Sequence, residues 1–250
     1  MRKPLVSVLL SAAMLLSAGA ARGWADTITF NNSSLHPDGQ VTIGNTVTLT
    51  NGIIDAVARV LPVNGYAITG SCTSAGGGSF GCLNFTTGTF NGPVTTTGAN
   101  DYSYLGGGII TVTGSIAALG LGPGTVLWSG TFDTASNVIL QFDDVCQTNP
   151  TQCTGSVTGT LSSGTLNSVL AAALGVSPNT LGGNDQSLFF GFTGISMPAA
   201  GAFPTGTASG NTNQLEVVTP AAPVPESGSL ILVGIGLVAG AKYLRRRRLA

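Results

Sequence analysis

Hydroxyl and apolar residues alternate along much of this chain with a period of two. In QVTIGNTVTLT (Gln40 to Thr50), Val41 and Ile43, then Val47 and Leu49, alternate with Thr42, Thr46, Thr48 and Thr50. Successive side chains of a strand point to opposite faces, so the pattern gives one buried face and one wet face. The runs GIITVTGSIAAL (Gly108 to Leu119), VLWSGTF (Val126 to Phe132), NVILQFDDV (Asn137 to Val145) and SLFFGFTGIS (Ser187 to Ser196) are also of β type. QLEVV (Gln214 to Val218) reads as a last strand. Gly, Asn and Pro interrupt these runs at short intervals. Many short, punctuated strands point to an antiparallel sandwich or barrel. The expectation is an all-β fold, an antiparallel β-sandwich with one short helix, plus a C-terminal transmembrane helix.

The short helix is expected in GTLNSVLAAALGVSP (Gly164 to Pro178). Leu166, Val169, Leu170, Ala173 and Leu174 recur at helical spacing, Thr165 reads as the N-cap, and Gly175 and Pro178 end the helix. The Gly-, Ala-, Thr- and Pro-rich stretch 198–213 reads as a loop. TVTG (111–114) and SVTGT (156–160) read as similar strand–turn units and not as a solenoid.

Charge is sharply partitioned. Of nine Lys and Arg, Arg2, Lys3 and Arg22 stand at the start, and Lys242 and Arg245 to Arg248 at the end. Only Arg59 lies between them, and all ten acids fall between Asp26 and Glu226. One base against ten acids gives this middle part a net charge of −9. Such a body has no basic face for nucleic acid, so no nucleic-acid partner is expected. It also has no lysine for salt-bridge networks, and burial, backbone pairing and disulfides must hold it.

The start, MRKPLVSVLLSAAMLLSAGAARGWA, has the three parts of a secretory signal peptide. Arg2 and Lys3 are the positive region, Leu5 to Leu16 the apolar region, and Gly23 and Ala25 the −3 and −1 positions of a cleavage site. Cleavage after Ala20 is the second choice, and an uncleaved anchor the alternative. Export changes the reading of the four cysteines, Cys72, Cys82, Cys146 and Cys153. An even count in an exported chain points to disulfides. The spacings favour local pairs, Cys72 with Cys82 and Cys146 with Cys153, over the two long-range connectivities. None of the spacings is CxxC, and no metal or other cofactor is expected.

The end of the chain is also in three parts. TPAAPVP (Thr219 to Pro225) reads as a stiff, extended linker. Ser227 to Leu244 are apolar or small apart from Lys242 and Tyr243, and as a helix would span about 27 Å, close to a bilayer core. Arg245, Arg246, Arg247 and Arg248 follow as a stop-transfer cluster that stays in the cytoplasm under the positive-inside rule. The organisation expected is a signal peptide (1–25), an extracytoplasmic β-sandwich domain (26–218), a linker with a sorting triplet (219–226), a transmembrane helix (227–244) and a basic tail (245–250).

Val224, Pro225 and Glu226, then a glycine-bearing apolar helix, then a terminal arginine run, resemble the PEP-CTERM sorting domain of exported bacterial proteins. The resemblance covers about the last 25 residues. In that family a proline often follows the Glu, where this chain has Ser227. The resemblance implies recognition by an exosortase, an integral-membrane transpeptidase, and cutting near the triplet. It implies residence in the inner membrane, then at the cell surface or in the medium, in an exopolysaccharide or biofilm setting. The same terminal domain is also described from ice-binding proteins.

For the body itself, four activities come into question. An enzyme using a nucleophile and base would need His36, the one histidine, which lies in the turn-like SSLHPDG. A carboxylate pair for glycoside hydrolysis would come from Asp133, Asp143, Asp144 and Asp185, but Asp143 and Asp144 are adjacent and would point to opposite faces of a strand. Calcium could take oxygens from Asp143 and Asp144 in FDDVCQTNPTQC, which has no EF-hand spacing. Ice or carbohydrate could meet the hydroxyls of Thr46, Thr48, Thr50 and Thr95 to Thr97, or the rings of Tyr66, Tyr102 and Tyr104. Trp128, in phase with Val126 and Phe132, is expected in the core. The composition favours a non-enzymatic surface or matrix protein, with a carbohydrate- or ice-binding adhesin as the alternative.

Overall fold

The computed structural model describes residues 26–32, 39–60, 64–73, 77–94, 101–143, 146, 154–193 and 206–220, without the side chains of 183–186 and 206–213. Ala25 to Ala221 form one compact unit. The expected signal peptide, sorting triplet, transmembrane helix and arginine tail lie outside the described residues. Among the described residues no helix is long and apolar enough to cross a membrane.

Among the described residues the body is antiparallel β-sheet with one α-helix. Its first eight strands are β1 (Asp26–Asn31), β2 (Gln40–Ile43), β3 (Val47–Ile54), β4 (Ala56–Arg59), β5 (Asn64–Ala67), β6 (Cys72–Thr73), β7 (Ser79–Thr86) and β8 (Phe90–Val94). There follow β9 (Asp101–Tyr104), β10 (Gly107–Ile116), β11 (Leu121–Phe132), β12 (Val138–Phe142), β13 (Thr154–Leu161), β14 (Thr165–Leu166), β15 (Gly183–Thr193) and β16 (Gly206–Thr219). The helix, α1, is Ser168–Leu174.

The expected sandwich-like all-β fold is present, built as one continuous sheet that returns on itself. Pairings run from β16 through β2, β3, β7, β10, β11, β13 and β15 back to β16. β1, β4 and β5 extend one flank, and β12, β9 and β8 extend another. Opposite sides of this ring face each other across an aromatic core. Phe85 of β7 meets Phe190 of β15 and Phe132 of β11 edge-on, with centroids 5.9 and 5.8 Å apart. A second series joins Tyr102, Phe142 and Phe192, each contact 5.8 Å. Edge-to-face rings add about 0.5–1.5 kcal/mol per pair to their burial.

Three expectations about local structure are corrected. Register slips between the Val112–Trp128 and Thr113–Val126 pairs, leaving Leu127 as an extra residue in β11. The bulge buries both Leu127 and Trp128 and turns Val126 outward, 47% exposed. Trp128 is therefore in the core as expected, but Val126 does not share its face. Second, Thr165 is not the N-cap. It pairs with Ser129 in β14, and Asn167 caps α1 by accepting from the N–H groups of Val169 and Leu170 at 3.0 and 3.4 Å. Gly175 ends the helix at φ 68°, as expected. α1 buries Leu170, Ala171 and Leu174 and leaves Val169 exposed. Third, the stretch read as a loop up to residue 213 includes the first half of β16, which starts at Gly206.

Cys72 and Cys82 are bonded, with Cα atoms 5.3 Å apart, as the local pairing requires. Cys146 is also disulfide-bonded and buried. Cys153 lies outside the described residues.

Candidate functional site

Three places on the body combine chemistry with access. The first is the end where β1 starts and β16 stops. Arg59, the one cation of the body, donates from Nε and Nη2 to the two carboxylate oxygens of Asp26 at 3.2 and 2.8 Å. Its Nη1 donates to the Leu174 carbonyl at 3.0 Å, at the C-terminus of α1. Asn64 donates to the next carbonyl back, Ala173, at 3.3 Å. A cation there satisfies carbonyls that a helix end leaves open. Thr219 Oγ1 donates to the Asp26 carbonyl at 3.3 Å, which ties the last strand to the first. Sequence reading singled out Arg59 only as the lone base; its uniqueness was the signal for a structural role.

The second place is a cleft of about 500 Å³ beside the β4–β5 hairpin. Tyr66 and Phe80 supply rings to its wall, and Asp55, Thr69 and Ser79 supply polar groups. Of the three tyrosines read as platforms, only Tyr66 lines an open surface. Tyr102 and Tyr104 are buried, and burial raises the pKa of both, with Tyr102 adding to the effect on Tyr104. Neither can stack on a sugar. Phe80 escaped sequence reading because SFGCLNF gives no sign of which ring stays partly open.

The third is a field of hydroxyls on the wet face of the sheet. Thr42 of β2 is opposite Thr48 of β3, and Thr48 is opposite Thr86 of β7. A parallel row joins Asn84, Thr111, Ser129 and Thr165 across β7, β10, β11 and β14. Neighbouring members of a row stand about 4.8 Å apart, the strand spacing. Thr50 lies opposite Gln40 in the next register. Thr46 is not part of the face; it falls in the turn before β3 and its carbonyl accepts from Gly44 N–H. Thr95 to Thr97 lie outside the described residues.

The described carboxylates proposed for catalysis or calcium are occupied in local structure. Asp133 accepts from Ala135 N–H at 3.1 Å and from Ser136 Oγ at 2.9 Å, which closes the turn before β12. Asp143, at the other end of β12, accepts from Thr154 Oγ1. β12 therefore separates the two, and they do not form a pair. His36 and Asp144 lie outside the described residues, as does the side chain of Asp185. Among the described residues no three His, Cys, Asp or Glu side chains are grouped to hold a metal ion.

Comparison of the chain with family models, curated proteins and solved structures returned no match.

Proposed function

We propose that this is an exported, non-enzymatic surface or matrix protein, sorted through its C-terminal tripartite segment by an exosortase. The β-body stands outside the inner membrane, held by the helix at 227–244 and the arginines at 245–248 until the chain is cut near Val224 to Glu226. The product then remains at the cell surface or is secreted among exopolysaccharide. The observation that supports this reading best is the Cys72–Cys82 bond in the body, because structural disulfides belong to oxidising compartments outside the cytoplasm. Signal peptide, disulfide and terminal anchor are three separate features that agree on one topology. Fractionation of the producing cells with mass spectrometry of the mature C-terminus tests it. The expected product ends close to Glu226 and is found outside the inner membrane. A chain keeping all of its arginines and residing in the cytoplasmic fraction would refute it.

A second reading, a carbohydrate- or ice-binding adhesin, is favoured by the threonine rows and by the cleft bearing Tyr66 and Phe80. Purified protein that neither inhibits ice recrystallisation nor shifts resonances on titration with neutral oligosaccharides removes this reading and leaves the first intact.

A further inference from the structure

Both apolar segments expected at the chain ends join the body at one place. β1 begins at Asp26, β16 ends at Thr219, and these residues are register partners, so their backbones stand about 5 Å apart. The chain before Asp26 and the chain after Thr219 therefore leave from adjacent points at one end of the sheet. Val60 and Leu181 flank that point. Val60 N–H donates to the Thr27 carbonyl at 3.0 Å, and Leu181 N–H to the Val218 carbonyl at 2.7 Å. Their side chains are 43% and 42% exposed.

Charge varies along the same axis. The described charges at this end, Asp26 and Arg59, cancel in their ion pair. The next acids, Glu216 and Asp133, share a row three residues up β16 through Ser187 and Thr160, about 10 Å away. Asp143 follows Phe142, whose row runs through Gly155 and Phe192 to Gly210, about 30 Å along β16 from Thr219. Among the described side chains, the acids other than Asp26 are thus displaced from the exit point by about a screening length or more; Asp185 stands in β15 on the exit side of Ser187.

We infer that this end is the body's lipid-facing surface, with Val60 and Leu181 seated at the headgroup level of the bilayer. The inference rests on the anchor reading given above. Seven residues separate Thr219 from Ser227, at most about 28 Å of extended chain. β16 alone, with 14 residues, is about 46 Å long. Turning the far end toward the lipid would need a tether as long as the strand it must pass, and this tether is shorter. The tether keeps the body near the membrane; the two aliphatic side chains orient it.

The test places single tryptophans by Val60→Trp, Leu181→Trp and, toward the far end, Gln141→Trp in the chain from Asp26 to Ala250 reconstituted in phosphatidylcholine–phosphatidylglycerol vesicles. The emission of Trp128 is subtracted using the unsubstituted protein. Lipids with brominated chains should quench the tryptophans at 60 and 181 and leave the one at 141 bright. If the protein floats with the vesicles but positions 60 and 181 are quenched no more than 141, the inference fails and the anchor stands. If the protein does not float, the anchor reading fails and the inference falls with it.

Discussion

Replacing Arg59 by Met removes a two-pronged bond to Asp26 and a third bond to the end of α1 while keeping most of the aliphatic volume. Breaking a buried pair by deleting one partner costs about 3–5 kcal/mol, because the other charge stays behind. An exposed pair is worth about 0–1 kcal/mol. Arg59 and Asp26 have side chains 19% and 12% exposed, so the site lies nearer the buried limit, with some relief from solvent. The Leu174 carbonyl also loses its donor, which adds about 1 kcal/mol. Together these give a loss of about 3 kcal/mol, or about 6–12 °C in Tm for a body of this size. The assay is thermal unfolding of the processed protein followed by circular dichroism. Asp26→Asn added to Arg59→Met removes the stranded carboxylate and should restore about 1 kcal/mol or more. The reasoning is refuted if Arg59→Met stays within about 0.5 kcal/mol of the parent, or if the double variant melts no higher than the single one.

The same geometry carries further expectations. Cys72→Ser with Cys82→Ser opens a loop of sequence separation 10 and should cost about 2–3 kcal/mol, read as a lower urea midpoint; an unchanged midpoint would sink the claim. Gly106→Ala should prevent folding, because an added Cβ would lie 1.7 Å from the Asp133 carbonyl oxygen, while Gly122→Ala, with nothing within 4 Å, should fold normally; comparable soluble yields would contradict this. Tyr102 and Tyr104 have folded-state pKa values raised by burial. The unfolded chain therefore gives up these protons first, and their stabilisation is complete below about pH 10 and is lost as pH climbs from there toward the folded values. Tyrosinate absorbance should rise together with unfolding; two tyrosines titrating freely in the folded body would be inconsistent with that.

The alternation of threonine with aliphatic residues made the strands legible because side-chain direction is a local property. What it missed came from pairing between distant segments. VLW at 126–128 shows three apolar residues in a row, and only the slip against Val112 and Thr113 decides that Leu127 joins Trp128 inside. Thr165 and Asn167 are both good caps by residue type; the cap goes to Asn167 because Ser129 takes Thr165 into a strand pair. GTASGNTN (206–213) has little intrinsic strand preference, yet its first half pairs with β2 and its second with β15, the two meeting at Ser209, and this backbone pairing overrides propensity. Tyr102, Ser103 and Tyr104 are all buried, so the two tyrosines of DYSY are not the open platforms their residue type suggested. The ion pair of Asp26 and Arg59 spans 33 residues, a separation at which spacing carries no information. The cleft is assembled from β4, β5 and β7 in the same non-local way.

The central claim is topological: the β-body lies outside the cytoplasmic membrane and the terminal arginines lie inside. A protease-sensitive tag inserted between Pro220 and Val224, in cells lacking the sorting enzyme, tests this most directly. Protease added to intact spheroplasts should cut the tag while a cytoplasmic marker stays whole. A tag cut only after the spheroplasts are lysed would place the body on the wrong side and contradict the account.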